Sequence, residues 1–234
     1  MRDGVDRTAS LTLADPQVAA DFRTFVSRAR RVNDGAVHLQ AWGQVLAAYV
    51  CIMKPSALGE ATPTILGLRT MGLGVPAHAE ATVSLAAVAD RLARMDGNDV
   101  VLPVPPMEVR ESWTGVLPPR SGWEPAGSVA ADVLGDAAEA GIAEVSRAVP
   151  ANPGQLVVNT ARNAVWGRDL ELPAGTGNPA GIAGGIPAGA AFAAFSLGFL
   201  GAEEPAMLFG NGRWLRLSTS RGHVLARRAV SLQD

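Results

Sequence analysis

The arginines at the end of the chain are the side chains best suited to bind another molecule. Between residues 206 and 234 the sequence contains five arginines and a single acid, Asp234. The arginines are Arg213, Arg216, Arg221, Arg227 and Arg228. Arginines meet the phosphates of nucleic acids, and a helix followed by a basic hairpin is typical of winged-helix proteins. These five residues are therefore candidate phosphate contacts, and a solvated arginine face is the alternative.

Nucleophilic catalysis has little support in the sequence. No Gly-x-Ser-x-Gly elbow occurs, and Ser196 lies inside an apolar helical segment instead of a strand-to-helix turn. Cys51 lies in the apolar run Tyr-Val-Cys-Ile-Met, which predicts a buried and inert thiol. The single lysine, Lys54, follows no glycine-rich loop. A P-loop and a kinase-type ATP site are thus excluded, and a pyridoxal phosphate Schiff base would depend on Lys54 alone.

Metal binding and acid–base catalysis also lack an organised set of residues. His38, His78 and His223 lie far apart in the sequence, and one cysteine cannot complete a usual structural zinc site. We expect His38 to point from a strand into solvent and His78 to lie in a loop. Asp132 and Asp136 lie near the start of a predicted helix, where negative charge is favourable. Glu203 and Glu204 lie in a predicted exposed connection. We therefore predict no catalytic residue, no cofactor and no metal site.

Two tryptophans lie in a proline-rich stretch from 103 to 125. Such a stiff, non-periodic segment predicts a connection between two parts of the chain. A ligand pocket where these parts meet could be covered by Trp113, Arg120 and Trp123. An enzyme or a small-ligand binder with its site at the junction is therefore one of the functions to consider.

An apolar helix predicted over 187–200 has aromatic residues on one side. Phe192, Phe195 and Phe199 form a stripe, and small residues lie between them. The stripe indicates either the centre of the C-terminal core or a homodimer interface, because a helix that is apolar all round must be covered on both sides.

The composition of the chain excludes several classes of protein. The chain of 234 residues has a net charge of −2 and a single cysteine, which argues against a disulfide framework and fits a reducing compartment. The N-terminus lacks the apolar stretch of a signal peptide, and the longest apolar run, 186–200, is too short to span a bilayer. We expect a soluble cytoplasmic protein without membrane contact.

The first half of the chain predicts a mostly antiparallel sheet with two helices on one face. A short strand at 8–13 precedes a helix that starts at Asp15-Pro16, an N-cap followed by a proline in the first turn. Alternating segments at 36–42, 44–53, 64–73 and 79–83 predict four strands. Ser84 then caps a second helix, and 99–104 predicts a last strand.

The second half predicts helices followed by a hairpin. Helices are expected after Ser128, over 155–166 and over 187–200, and the hairpin is expected around Gly210-Asn211-Gly212. Three Pro-Ala-Gly repeats between 173 and 189 predict a tolerant surface loop. The fold class is therefore α+β. It comprises a sheet domain at 1–112, a connection at 113–127 and a helical domain with a C-terminal hairpin at 128–234.

The order of elements over residues 11–103 resembles half of a DNA sliding-clamp domain. The likeness rests on this order and on the phrase Gly-Ala-Val-His-Leu-Gln-Ala, which is followed by an apolar strand from Val45 to Met53. In clamps, too, a helix after the first strand precedes a run of strands, a second helix and another strand. Clamps close a ring from repeated domains, and the sequence shows no second copy of this pattern. As a whole, the chain resembles uncharacterised proteins of GC-rich bacteria.

These observations favour a non-catalytic protein that acts by association with a protein partner or with itself. One alternative is a nucleic-acid-associated protein that uses the C-terminal arginines. The other is a small-ligand binder or an enzyme with its pocket between the two halves.

Overall fold

A computed structural model describes residues 10–57, 59–150, 154–172 and 185–228. The chain divides into two compact units. Unit 1 comprises residues 1–51 and 68–116, and unit 2 comprises residues 52–67 and 117–234. The Pro-Ala-Gly repeats at 173–175 and 179–181 lie outside the described residues.

The first part of the chain contains two helices and four strands, in an order close to the expected one. They are β1 (Ser10–Thr12), α1 (Pro16–Val32), β2 (Ala36–Met53), β3 (Thr64–Ser84), α2 (Leu85–Arg94) and β4 (Val101–Pro103). A short 3₁₀ turn follows at Ser112–Gly115. Instead of four short strands, β2 and β3 are two long ones, and Gly43 adopts a φ of 59° within β2.

The caps of α1 and α2 explain where both helices begin. Asp15 Oδ1 accepts a hydrogen bond of 2.8 Å from the Val18 amide, and Pro16 opens the helix. Ser84 Oγ accepts a hydrogen bond of 3.1 Å from the Ala87 amide at the start of α2. One side of each helix is apolar and buried, and α1 packs against α2.

The second part contains β5 (Glu124–Val129), α3 (Ala131–Ala148), α4 (Gln155–Trp166), α5 (Ala188–Ser196), β6 (Ala206–Asn211), β7 (Trp214–Thr219) and β8 (Gly222–Arg227). Strands β5 to β8 pair antiparallel in sequence order. A two-residue turn, Gly212-Arg213, joins β6 to β7, and Gly212 has a φ of 55°. These elements confirm the α+β class.

Two sheets organise the strands. Strands β1 and β4 form a small one, and the other has the order β2–β3–β8–β7–β6–β5. In unit 2 the α3 and α5 helices pack together, and Trp166 at the end of α4 lies in a core with Val165 and Ala188. Among the described helices, none is both long and apolar enough to cross a membrane.

Candidate functional site

The helix pair α1–α2 of unit 1 is strongly basic. Its six arginines are Arg23, Arg28, Arg30, Arg31, Arg91 and Arg94, and its two acids are Asp21 and Asp90. The long α3 helix of unit 2 has the opposite character, with four acids and one arginine. A positive helical surface is thus a local property of unit 1 in a chain whose net charge is negative.

Arg23 connects the two helices of this basic pair. Its Nε and Nη2 donate to the Leu92 carbonyl at 3.2 and 2.9 Å, and Nη2 also donates to the Met95 carbonyl at 3.5 Å. These carbonyls lie at the C-terminal end of α2, where a positive charge is favoured by the helix dipole. Arg23 therefore holds the register of α1 against α2.

A groove of about 340 Å³ lies along α1, with Ala89 of α2 on its lining. The remaining lining residues are Arg23, Ser27, Arg30, Arg31 and Asp34. Arg30 forms an exposed ion pair of 2.8 Å with Asp34, and this hydrogen bond lowers the pKa of the Asp34 carboxyl. The groove thus presents more positive than negative charge and can accommodate an anionic group.

Several of the C-terminal arginines bind other residues of the chain. Arg213 Nη2 donates to the Arg228 carbonyl at 2.7 Å, while Arg228 forms an ion pair with Asp169. Arg221 Nη1 donates to the Leu200 carbonyl at 3.3 Å. Several of the five guanidinium groups therefore have partners within the chain, and phosphate contact by this set stays a prediction.

Arg216 lies between two aromatic rings on the sheet of unit 2. Its guanidinium carbon is 4.7 Å from the centre of the Trp123 ring and 4.4 Å from that of Phe209. Phe209 is the direct cross-strand neighbour of Arg216 on β6. Trp123 is fixed in turn, because its indole donates to the Pro119 carbonyl at 3.0 Å. The proline-rich connection thus covers one side of this arginine.

The three residues predicted to cover a ligand pocket belong to different units. Trp113 lies in unit 1 and is 4% exposed, whereas Arg120 and Trp123 lie in unit 2. Trp113 makes an edge contact with His38, with ring centres 6.4 Å apart. A ligand pocket that involves these residues stays a prediction.

His38 is buried, so the expectation that it faces solvent is wrong. It is only 3% exposed, and its neighbours Val37 and Leu39 are buried too. Alternation along a strand indicates an exposed face only when one side of the sheet is open, and here Trp113 lies against the His38 side. His78 is not in a loop either, because it lies within β3.

Cross-strand partners surround the buried His38. Its Nδ1 shares a 2.8 Å hydrogen bond with Thr82 Oγ1, and its Nε2 lies 3.4 Å from Glu80 Oε1. Burial lowers the pKa of His38, and the Glu80 carboxylate offsets part of that effect. Further along the same two strands, Trp42 contacts His78 at 4.6 Å between ring centres. The spacing of residues along the chain does not indicate that His38 meets a carboxylate.

The predicted aromatic stripe of α5 separates into three environments. Phe192 stacks on Trp166 at 4.5 Å between ring centres, and Phe199 is 2% exposed. Phe195 is 38% exposed and is the member best placed to meet another molecule. Within the described residues no group of three or more His, Cys, Asp or Glu side chains could hold a metal ion.

Two family models match the sequence. Residues 6–114 match a domain of unknown function, DUF8010, and residues 118–231 match a second one, DUF8185. Each model covers just under half of the chain. A search of curated protein sequences gives no match.

The fold is similar to that of bacterial sliding clamps. A clamp from Bartonella birtlesii, solved with griselimycin, gives a TM-score of 0.55 at 11% identity over 96% of this chain and 66% of its own. The DNA polymerase III subunit beta of Pseudomonas aeruginosa gives 0.51 at 13% identity, over 97% and 66%. The beta clamp of C. crescentus gives 0.51 at 12% identity, over 97% and 67%.

These comparisons establish a likeness of fold. It extends over nearly the whole chain, beyond the residues 11–103 in which the sequence suggested it. The chain spans about two thirds of the length of the clamp chains that it matches. The basic pair α1–α2 was missed at the sequence level, although four arginines fall between residues 23 and 31 and both helices were predicted.

Proposed function

We propose that this protein is non-catalytic and acts by association with other macromolecules, including further copies of itself. The observation that carries the proposal is the clamp-like fold, which extends over nearly the whole chain. Clamps close a ring from repeated domains. Symmetric association of identical chains is a common way in which proteins bring repeated domains together, which supports self-association.

Light scattering coupled to size-exclusion chromatography tests this proposal. At micromolar concentration we expect the purified protein to have a mass of at least twice the 24.2 kDa of one chain. A monomer over the whole accessible concentration range would contradict self-association.

Nucleic acid is a second candidate partner, supported by the basic pair α1–α2. Six arginines against two aspartates on neighbouring helices create a positive local potential, and a groove with three of these arginines lies on that surface. Phosphate contacts of this kind bind without sequence preference and weaken as salt is raised. Both sets of arginines include groups that are paired within the chain, such as Arg30 with Asp34 and Arg228 with Asp169. We favour the helices of unit 1 as the contact surface because three of their arginines line a groove.

Fluorescence anisotropy with a labelled DNA duplex distinguishes the two basic surfaces. The double variant Arg31→Gln/Arg94→Gln removes two exposed charges of the helix pair, and Arg213→Gln/Arg221→Gln removes two exposed charges of the hairpin. At about 50 mM salt the helix variant should bind more weakly, and its salt slope should fall by about two because two phosphate contacts are lost.

The hairpin variant is the matched control, because it loses the same charge elsewhere. We expect its affinity and salt slope to stay close to those of the unaltered protein. Equal losses in both variants would show a dependence on net charge alone, and no binding by the unaltered protein at this salt would exclude nucleic acid as a partner.

A further inference from the structure

Arg216 is held in one orientation but has no hydrogen-bond acceptor among the described residues. The centres of the Phe209 and Trp123 rings lie 4.4 and 4.7 Å from its guanidinium carbon. Because these rings cover the guanidinium plane, another group can bind only at the guanidinium edge. Its Nε is buried without a hydrogen-bond partner in the described part of the chain. Its two Nη groups also form no hydrogen bond with the described residues but are not buried, so they are the donors that an added acceptor can reach. An unsatisfied donor near the protein interior costs free energy, and this cost falls when an acceptor binds.

The charge of Arg216 also has no compensating carboxylate among the described residues. Burial alone lowers the pKa of Arg216, and no ion pair involves it in the described ranges. The acid next to Trp123 in sequence, Glu124, is exposed on β5 and lines a small cleft of about 160 Å³ with neighbouring residues. The guanidinium is therefore positioned for an anion that the described residues do not provide.

A second arginine lies on the same side of the sheet. Arg216 pairs with Leu225, and Trp214 pairs with Arg227, which makes Arg216 and Arg227 diagonal neighbours on one face. Diagonal positions are within reach of long side chains. The pKa of Arg227 is also lowered, by burial and by the nearby charge of Arg213. Two guanidinium groups without acidic partners in the described chain thus project from one apolar surface.

We propose that Arg216, with Trp123, Phe209 and Arg227, forms a binding site for a carboxylate carried by an apolar group. The edge of a guanidinium matches the two oxygens of a carboxylate, and such paired hydrogen bonds are stronger than neutral ones. The aromatic rings and Leu225, which is 1% exposed, supply the apolar surroundings. A phosphate dianion would lose more hydration here, which favours the carboxylate.

The site takes either a free organic acid or the C-terminal carboxylate of a peptide, since both present the same group. It does not depend on the proposed self-association or on nucleic-acid binding. Phenylacetate and a short peptide that ends in a phenylalanine carboxylate represent the two sources. The matched probes without a carboxylate are phenylacetamide and the amidated peptide. Inorganic phosphate is the anionic probe without an apolar group.

Nitrogen-15 NMR titration of the full chain tests this site. We expect the carboxylate probes to shift the Trp123 indole and the Arg216 Nε–H signals to saturation, with the tighter probe identifying the source. The signals are assigned with Trp123→Phe and Arg216→Lys. Arg216→Lys should weaken binding by about tenfold or more because the two-pronged contact is lost. Thermal unfolding of this variant verifies that it is folded.

Arg147→Gln is the control variant, since Arg147 is an exposed arginine on α3 of the same unit. It should bind the probes with unchanged affinity. The proposal is overturned if the amide probes cause the same shifts, if phosphate binds as tightly as the carboxylates, if folded Arg216→Lys keeps the original affinity, or if no probe binds.

Discussion

His38 places an ionisable ring inside unit 1, where its protonation and the stability of the fold are linked. The folded protein holds the pKa of His38 below its ordinary value, mainly because the ring is buried. In the unfolded chain the ring takes up a proton near its usual pKa of about 6.5. As the pH falls below that value, the unfolded state therefore binds more protons than the folded state, and stability decreases.

Replacement of His38 by glutamine should flatten this acid response. We expect the free energy of unfolding of the unaltered protein, measured by urea denaturation, to drop between about pH 7 and about pH 5. The drop should be smaller in His38→Gln, whose side chain does not titrate. His78→Gln is the control because His78 is exposed on β3, and its profile should follow that of the unaltered protein. A profile of His38→Gln as steep as that of the unaltered protein would contradict this account.

Helix α3 shows how one packing contact reverses an ordinary helix preference. A glycine within a helix usually costs about 0.5–1 kcal/mol relative to alanine. Gly135 follows this rule, because a Cβ there would meet nothing within 4 Å. A Cβ at Gly141, however, would lie 2.2 Å from a Trp166 ring atom. The two glycines therefore have different reasons to be present in the same helix.

The paired substitutions Gly135→Ala and Gly141→Ala test this contact. We expect Gly135→Ala to raise the free energy of unfolding by up to about 1 kcal/mol. Gly141→Ala should lower it by about 1–3 kcal/mol, because Trp166 must move out of its core. Thermal or urea denaturation measures both changes. Stabilisation by both substitutions would show that α3 does not pack on Trp166 in this way.

Elements with local signals were predictable, and elements defined by distant contacts were not. Asp15-Pro16 and Ser84 mark helix starts through their own side chains, so α1 and α2 begin as expected. Strands β2 and β3 continue through positions that locally favour a break, such as Gly43, because each is hydrogen-bonded to a neighbouring strand. β5 was missed because Glu124-Pro125 shows no alternation, and its pairing with β6 is a tertiary contact.

The proposed self-association gives a prediction for the whole molecule. The dimer interface predicted at Phe192, Phe195 and Phe199 depends in practice on Phe195, since Phe199 is buried and Phe192 stacks on Trp166. Phe195→Glu should reduce the mass in solution to that of one chain, because burial of an unpaired carboxylate in the interface has a high desolvation free energy.

Val157→Glu is the comparison, since Val157 is an apolar residue that is 45% exposed on α4, a helix that packs against α5. This variant should keep the mass of the unaltered protein. Light scattering with circular dichroism separates dissociation from unfolding. An unchanged assembly in folded Phe195→Glu would exclude Phe195 from the interface.

The candidate surfaces were less predictable than the fold. The sequence identified Arg216 and Trp123 as separate candidates, but their contact depends on β6, β7 and the proline-rich connection meeting in space. The basic helix pair could have been recognised by counting charges on each predicted helix. The proximity of His38, Glu80 and Thr82 required the register of two long strands, which a single sequence does not specify.

The assignment of residues 52–67 to unit 2 has a consequence for synthesis on the ribosome. Every residue of unit 1 has been made once the chain reaches 116, but residues 52–67 have by then been made without the rest of their unit. Ile65 and Leu66, both fully buried in the finished protein, belong to unit 2, whose remaining residues have not yet been made at that point. Nascent chains that stop near residue 116 should therefore recruit chaperones or aggregate more readily than the complete chain, because they expose this apolar segment.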